Sequence, residues 1–154
     1  MKKNTPLLII MAVLATSFIF LLFHNVKEND MTVLGPETTI DYSKINAVNG
    51  VFLSACLDNE IINYIITNNS QNTIGYGVDV LIEKENNNVW YSVAPTKEYV
   101  VPAILLVLEP DKKESYTIEL SYWQPLSSGK YRLLKKLLTT GSQPDYLSWE
   151  FVLE

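Results

Sequence analysis

The 154-residue chain has one cysteine, one histidine and few basic residues, and each scarcity removes a class of protein. A lone Cys56 cannot close an internal disulfide, so the fold must be held by its core alone. The one histidine, His24, borders an apolar run. Ser-His and Cys-His pairs therefore lose their general base, and zinc sites built from His and Cys lack ligands. Residues 24–154 hold all 17 acidic residues and 10 of the 12 basic ones, a net charge of −7. That sign argues against nucleic acid and against adhesion to anionic lipid. A glycine-rich phosphate loop is missing too, because Gly75-Tyr76-Gly77 lacks the lysine and helix that such a loop needs.

What is present begins with Lys2 and Lys3, followed by an uncharged run over residues 7–23. As a helix, 17 such residues span about 26 Å, against a hydrocarbon core of roughly 30 Å. The run reads as a transmembrane signal-anchor helix whose partner is membrane lipid. A cleaved signal peptide is the alternative, but its apolar stretch is usually about 7–15 residues and ends in small side chains. Here Ala12 and Ala15 lie mid-run, and the end is Phe18-Ile19-Phe20-Leu21-Leu22-Phe23. The absence of a polar face argues against a core helix, and the absence of an early Glu argues against a pilin-like subunit. Positive-inside bias puts the N-terminus in the cytoplasm and the C-terminal bulk outside, a single-pass protein of the cell membrane. The expected organisation is a cytoplasmic tip (1–6), the anchor (7–23), a polar stalk (24–49) with one short strand near 31–34, and a single domain (50–154).

From residue 50 the hydrophobic period is two, the mark of half-buried strands. Val51, Leu53, Ala55 and Leu57 alternate, as do Ile62, Tyr64 and Ile66, then Tyr116, Ile118 and Leu120, and last Leu147, Trp149, Phe151 and Leu153. Val78, Val80 and Ile82 are expected to face one way, and Asp79 and Glu83 the other. Asn86-Asn87-Asn88 reads as a hairpin turn into 89–93. The continuous apolar run 104–108 reads as a buried strand. Seven or eight short strands at this spacing make a β-sandwich. Residues 131–138 compete with that pattern. Tyr131, Leu134 and Leu138 are spaced as on a helix, with Lys130, Arg132, Lys135 and Lys136 between them.

Leu126-Ser127-Ser128-Gly129-Lys130-Tyr131-Arg132 resembles the L-x-x-G-x-Y turn of immunoglobulin-like sandwiches, in which the tyrosine hydroxyl bends back to the backbone. Leu108-Glu109-Pro110-Asp111, followed by residues 116–120, resembles the turn and strand before it. Residues 81–91, ending Val89-Trp90-Tyr91, and residues 62–70, ending Thr67-Asn68-Asn69-Ser70, resemble further parts of the same pattern. Together residues 51–154 resemble a bacterial immunoglobulin-like domain family found on surface or lipid-anchored proteins of Gram-positive bacteria. The resemblance implies an all-β, immunoglobulin-like antiparallel sandwich of about seven strands, and it overrules the helix at 131–138. Tyr131, Gly129 and Leu126 then have structural roles, with the Tyr131 hydroxyl bonded to backbone within 125–129. Asn88 and Asp111 stand where the family favours glycine, which both types tolerate. Leu133 stands where antibody domains carry their second cysteine. The family brings no common activity.

Few residues remain for chemistry. Asp79, Glu83 and Glu85 could offer oxygen ligands to calcium, but Asp79 and Glu83 stand roughly 13 Å apart on a strand. A solvated outer face is the expectation. Cys56 is out of phase with its apolar neighbours and is expected to face outward as a quiet thiol; an intermolecular disulfide is the alternative. Trp90 and Trp149 are expected in sheet and core packing. Tyr122 and Trp123, in a loop, are expected to be partly exposed and are the candidate binding aromatics. No catalytic, cofactor-binding or metal residue is expected. The reading is a membrane-anchored extracellular module with a non-enzymatic interaction or structural role at the cell envelope, bound to an unspecified protein or cell-wall partner. The alternatives are a sensing or accessory subunit of an envelope complex, or a secreted binding protein after signal cleavage. Exposed aromatics near Trp123 would favour a binding module; an apolar patch on one sandwich face would favour a standing protein partner.

Overall fold

The computed structural model describes residues 32–123, 125–138 and 143–154. The anchor expected at 7–23, the tip before it and the first part of the stalk lie outside the described residues. Among the described residues no helix is long and apolar enough to cross a membrane.

The described residues form β1 (Leu34–Glu37), β2 (Val51–Asp58), β3 (Ile61–Asn68), β4 (Ile74–Tyr76) and β5 (Leu81–Asn86), then β6 (Val89–Val93), β7 (Leu106–Leu108), β8 (Lys112–Glu119), β9 (Gly129–Leu138) and β10 (Asp145–Leu153). They make two antiparallel sheets. The smaller has the order β2-β3-β8; the larger has β1-β6-β5-β9-β4-β7, with β10 on the other side of β9. β9 is the organising strand. Its first half pairs with β5 and its last two residues pair with β4, so β4 and β5 lie end to end along one edge. The strands outnumber the expected seven or eight because one long strand is split at residues 77–80 and because β1 comes from the supposed stalk.

The alternation works as pattern physics requires, because successive strand side chains point to opposite faces. Ile62, Tyr64 and Ile66 of the small sheet meet Ile82, Leu133, Leu137, Leu147 and Phe151 of the large one in a single buried core. Leu133 is fully buried, so aliphatic packing occupies the position of the inter-sheet cysteine. The turns use left-handed asparagine and aspartate: Asn87 and Asn88 (φ 53° and 63°) close the β5–β6 hairpin, and Asp111 (φ 58°) closes the turn into β8. Two adjacent positive φ values match the twist that a two-residue hairpin needs. Residues 131–138 are strand throughout. The helical spacing there is overridden by ladders on both sides of β9.

Five expectations need correction. The strand placed near 31–34 forms at Leu34–Glu37, where it pairs with β6. From Thr32 onward the supposed stalk belongs to the sandwich. It crosses the outer face of the large sheet to β10, where Ile45 bridges Tyr146 and Asn46 N donates to Tyr146 O at 2.7 Å. The run 104–108 is not a buried strand; β7 ends the sheet, so Ile104, Leu105 and Val107 stay exposed while Leu108 is buried. Asp79 and Glu83 do not share a solvated strand face. Asp79 lies in the break before β5, and Glu83 is buried beneath the crossing segment. Trp123 is 1% exposed. The turn Leu120–Tyr122 carries its ring inward, because exposing an indole forfeits the apolar area that drives folding.

Candidate functional site

Three clusters of polar side chains lie inside or against the sandwich, and each is tied to a backbone feature. The first is the start of β9. The Tyr131 hydroxyl donates to Ser127 O at 2.6 Å and lies 2.8 Å from Thr32 Oγ1. Ser127 N in turn donates to Thr32 Oγ1 at 2.7 Å, and Lys84 Nζ donates to the Ser127 hydroxyl and to Ser128 O. The same ammonium sits 5.2 Å over the Tyr131 ring. Gly129 is needed at the bend, where φ is 145° and a Cβ would meet the Lys84 side chain at 3.0 Å. Leu126 packs against the core from the same turn.

The second cluster is the outer face of the large sheet. Arg132 and Glu83 are both buried. Arg132 Nε donates to Glu83 Oε2 at 2.7 Å, and Nη2 lies 2.6 Å from the same oxygen but out of line for a hydrogen bond. Trp90 lies under the guanidinium at 4.4 Å and Tyr42 at 5.4 Å. Trp90 is therefore buried on the outer side of the sheet, while Trp149 faces the core and is only half-buried. Lys130 bridges Glu85 and Glu150 at 3.4 and 2.8 Å, which holds its ammonium above the ordinary lysine range. These pairings engage Glu83 and Glu85 with cations, and among the described residues no group of three His, Cys, Asp or Glu could hold a metal ion.

The third cluster surrounds Lys135, which faces the core and is fully buried. Its Nζ donates to Val78 O and Asp79 O, both at 2.9 Å, at the break between β4 and β5. The rings of Tyr64, Tyr76 and Tyr116 stand 5.5–5.9 Å from it. Burial pushes its pKa down to about 8, against the opposing pull of Asp79. Burial also raises Tyr64 and Tyr76 well above ordinary tyrosine. Tyr99 completes the break by accepting Val80 N–H on its hydroxyl at 3.3 Å. In front of this cluster is a cleft of about 360 Å³, lined by Tyr64, Tyr99, Tyr116, Tyr122, Val80 and Glu119 among others. Tyr122 is half-buried against Tyr99, at 5.7 Å, and Trp123 lies behind Tyr99 at 4.5 Å. The two aromatics chosen from the sequence as binding residues therefore pack into the fold from the loop after β8.

The small sheet presents a different surface. Cys56 is exposed on its outer face beside Asn63 and Thr117, in a shallow groove of about 450 Å³. Asn68 begins an Asn-x-Ser triplet of the glycosylation type, Asn68-Asn69-Ser70, but is fully buried. Its amide donates to Asn72 O and Leu108 O and accepts from Ser70, so it is closed to modification in the fold. At the β7 end of the large sheet, Leu105, Val107 and Leu138 gather around Gly75 as an exposed apolar patch, between 50% and 60% accessible.

The burial of Lys135, Glu83 and Arg132 escaped the sequence reading. For Lys135 a signal existed: once residues 131–138 are a strand, Tyr131, Leu133 and Leu137 point inward and so must position 135. Burial of Glu83 and Arg132 depends on residues 38–46 crossing that face, which no local pattern announces. A protein-family model described as a bacterial Ig-like domain matches residues 55–149. No curated protein matches the chain.

Proposed function

The chain belongs to the bacterial Ig-like domain family, and from that premise we propose that it is a membrane-tethered extracellular module with a non-enzymatic, protein-binding role at the cell envelope. Lys2, Lys3 and the uncharged run 7–23 support the tether and its orientation. Against an enzyme stands the way the interior polar groups are used. Tyr131, Lys135, Glu83 and Arg132 bind backbone or one another. They do not converge on a space where a substrate could react.

The observation that carries the binding role is the apolar patch of Leu105, Val107 and Leu138 around Gly75, where β7 is the last strand of its sheet. Contiguous exposed apolar side chains at a sheet end favour contact with another protein. The patch also favours the second reading, a sensing or accessory subunit with a standing partner in an envelope complex. Burial of Trp123 counts against an aromatic binding surface of the kind the sequence suggested.

Two experiments on intact cells test this. Protease shaving should remove the domain and leave the N-terminal segment in the membrane. Protein recovered free in the medium with its N-terminus between residues 15 and 30 would favour secretion after cleavage. A photo-crosslinking residue at Val107 should capture a partner that one at Glu150, on the charged outer face, does not. Equal capture from both positions would overturn the assignment of the binding face.

A further inference from the structure

The break at residues 77–80 interrupts the strand that would otherwise run unbroken along β9, and three of its freed backbone groups are held by two side chains. Lys135 Nζ takes the carbonyls of Val78 and Asp79, and the Tyr99 hydroxyl takes the Val80 amide. Tyr99 belongs to the irregular 94–105 loop, which is further tied by Thr96 N donating to Tyr122 O at 2.6 Å. The break and the loop are thus one unit closed over a buried ammonium. We propose that this unit is a proton-sensitive latch: protonation of Lys135 favours swinging residues 77–80 and 94–105 outward, and the neutral amine favours the closed form, in which Tyr99 forms one wall of the tyrosine-lined cleft.

The charge has little to balance it in the closed form. Tyr64 from β3, Tyr76 from β4 and Tyr116 from β8 face it with rings. Asp79 is the carboxylate that acts on it, and Asp79 is exposed. On β9 itself Lys136 and Arg132 point to the other face. Burial disfavours the charged form, whereas in the open form water solvates the ammonium and its ordinary affinity for protons returns. The open form therefore binds more protons, and opening must become easier as pH falls from the ordinary lysine range toward about 8. The neutral amine still has N–H groups for the two carbonyls, so losing the proton does not undo the closed geometry.

Trypsin cleavage after Lys97, an exposed residue in the loop, reads the opening. On the full chain, the cleavage rate is taken relative to an unstructured peptide of the same local sequence, which removes the protease's own pH dependence. For wild type that ratio should fall roughly tenfold or more from pH 7 to pH 9.5, as the interval between about 8 and 10.5 requires. Lys135→Met, with no proton to lose, should give a ratio that does not change with pH. Tyr99→Phe should raise the ratio at every pH and keep the slope. Should Lys135→Met not fold, Lys135→Arg, charged throughout, must also give a flat ratio. A flat wild-type ratio, or a slope retained in either Lys135 variant, would overturn the latch.

Discussion

The two ends of β9 solve the same problem in different ways. At its start, the turn into the strand is fastened by buried hydroxyls, Tyr131 on Ser127 O with Thr32 bridging both residues, and by the half-buried Lys84 ammonium at its edge. Near its other end, the break beside it is fastened by a buried ammonium on two carbonyls. Both leave backbone groups satisfied, as burial demands. They differ in what they cost. A hydroxyl loses little on burial, whereas a cation loses its hydration and gains only what the carbonyls and rings return. Of the two joints, the break is therefore the one that rests on a fully buried ammonium, and its strength depends on a proton.

Substitutions at the two ends should separate these mechanisms, and the largest effect belongs to the corner. Tyr131→Ala removes a fully buried ring that stacks on Phe151 at 5.6 Å, and should lower the free energy of urea unfolding by about 3–5 kcal/mol. Lys135→Met keeps most of the volume but leaves two carbonyls without a donor. The relief of a buried charge offsets part of that, so a loss of about 1–3 kcal/mol at pH 7 is expected, again from urea titration. Tyr131→Phe keeps the ring and removes only the hydroxyl, and should cost about 1–2 kcal/mol. If Phe were silent, the hydroxyl network would be decoration and the comparison would fail at that end. At the bottom of the scale stands Cys56→Ser, on the exposed face of the small sheet. It should shift the unfolding free energy by no more than about 0.5 kcal/mol, and wild type should run as a monomer on a non-reducing gel; a disulfide-linked dimer would show that the thiol has a partner.

Legibility in the sequence follows the range of the interactions. The alternation in 62–66, 116–120 and 147–153 and the turn before Tyr131 are local, and local patterns specify strands and corners. Asn88 and Asp111, out of keeping with a glycine preference, were readable because both tolerate left-handed backbone, which they adopt. The failures have non-local causes. Trp123 looked exposed because a loop was taken for surface, yet its ring is drawn onto Tyr99 from a loop distant in sequence. Residues 104–108 looked buried because they are apolar, yet β7 has a neighbour on one side only. Glu83 was read as solvent-facing, and the burial of Lys135 and Arg132 was not foreseen. What buries them is the pairing of β9 and the crossing of residues 38–46 over the sheet. A sequence shows which side chains are apolar; it does not show which charges the topology will cover.

The contrast between the two ends of β9 is tested most directly by unfolding free energies at pH 7 and pH 9.5 for wild type, Lys135→Met and Tyr131→Phe. The folded-state pKa of Lys135 lies near 8, below its ordinary 10.5, so between those values the unfolded chain binds more protons and stability must rise with pH. Tyr64 and Tyr76 are raised and oppose this only once pH passes the ordinary tyrosine range, which the upper pH avoids. Wild type should gain about 1–2 kcal/mol from pH 7 to pH 9.5 relative to Lys135→Met. Tyr131→Phe should run parallel to wild type at lower stability. A wild type no more pH-dependent than Lys135→Met would contradict the account, because the ammonium at the break would then not be the group that sets its strength.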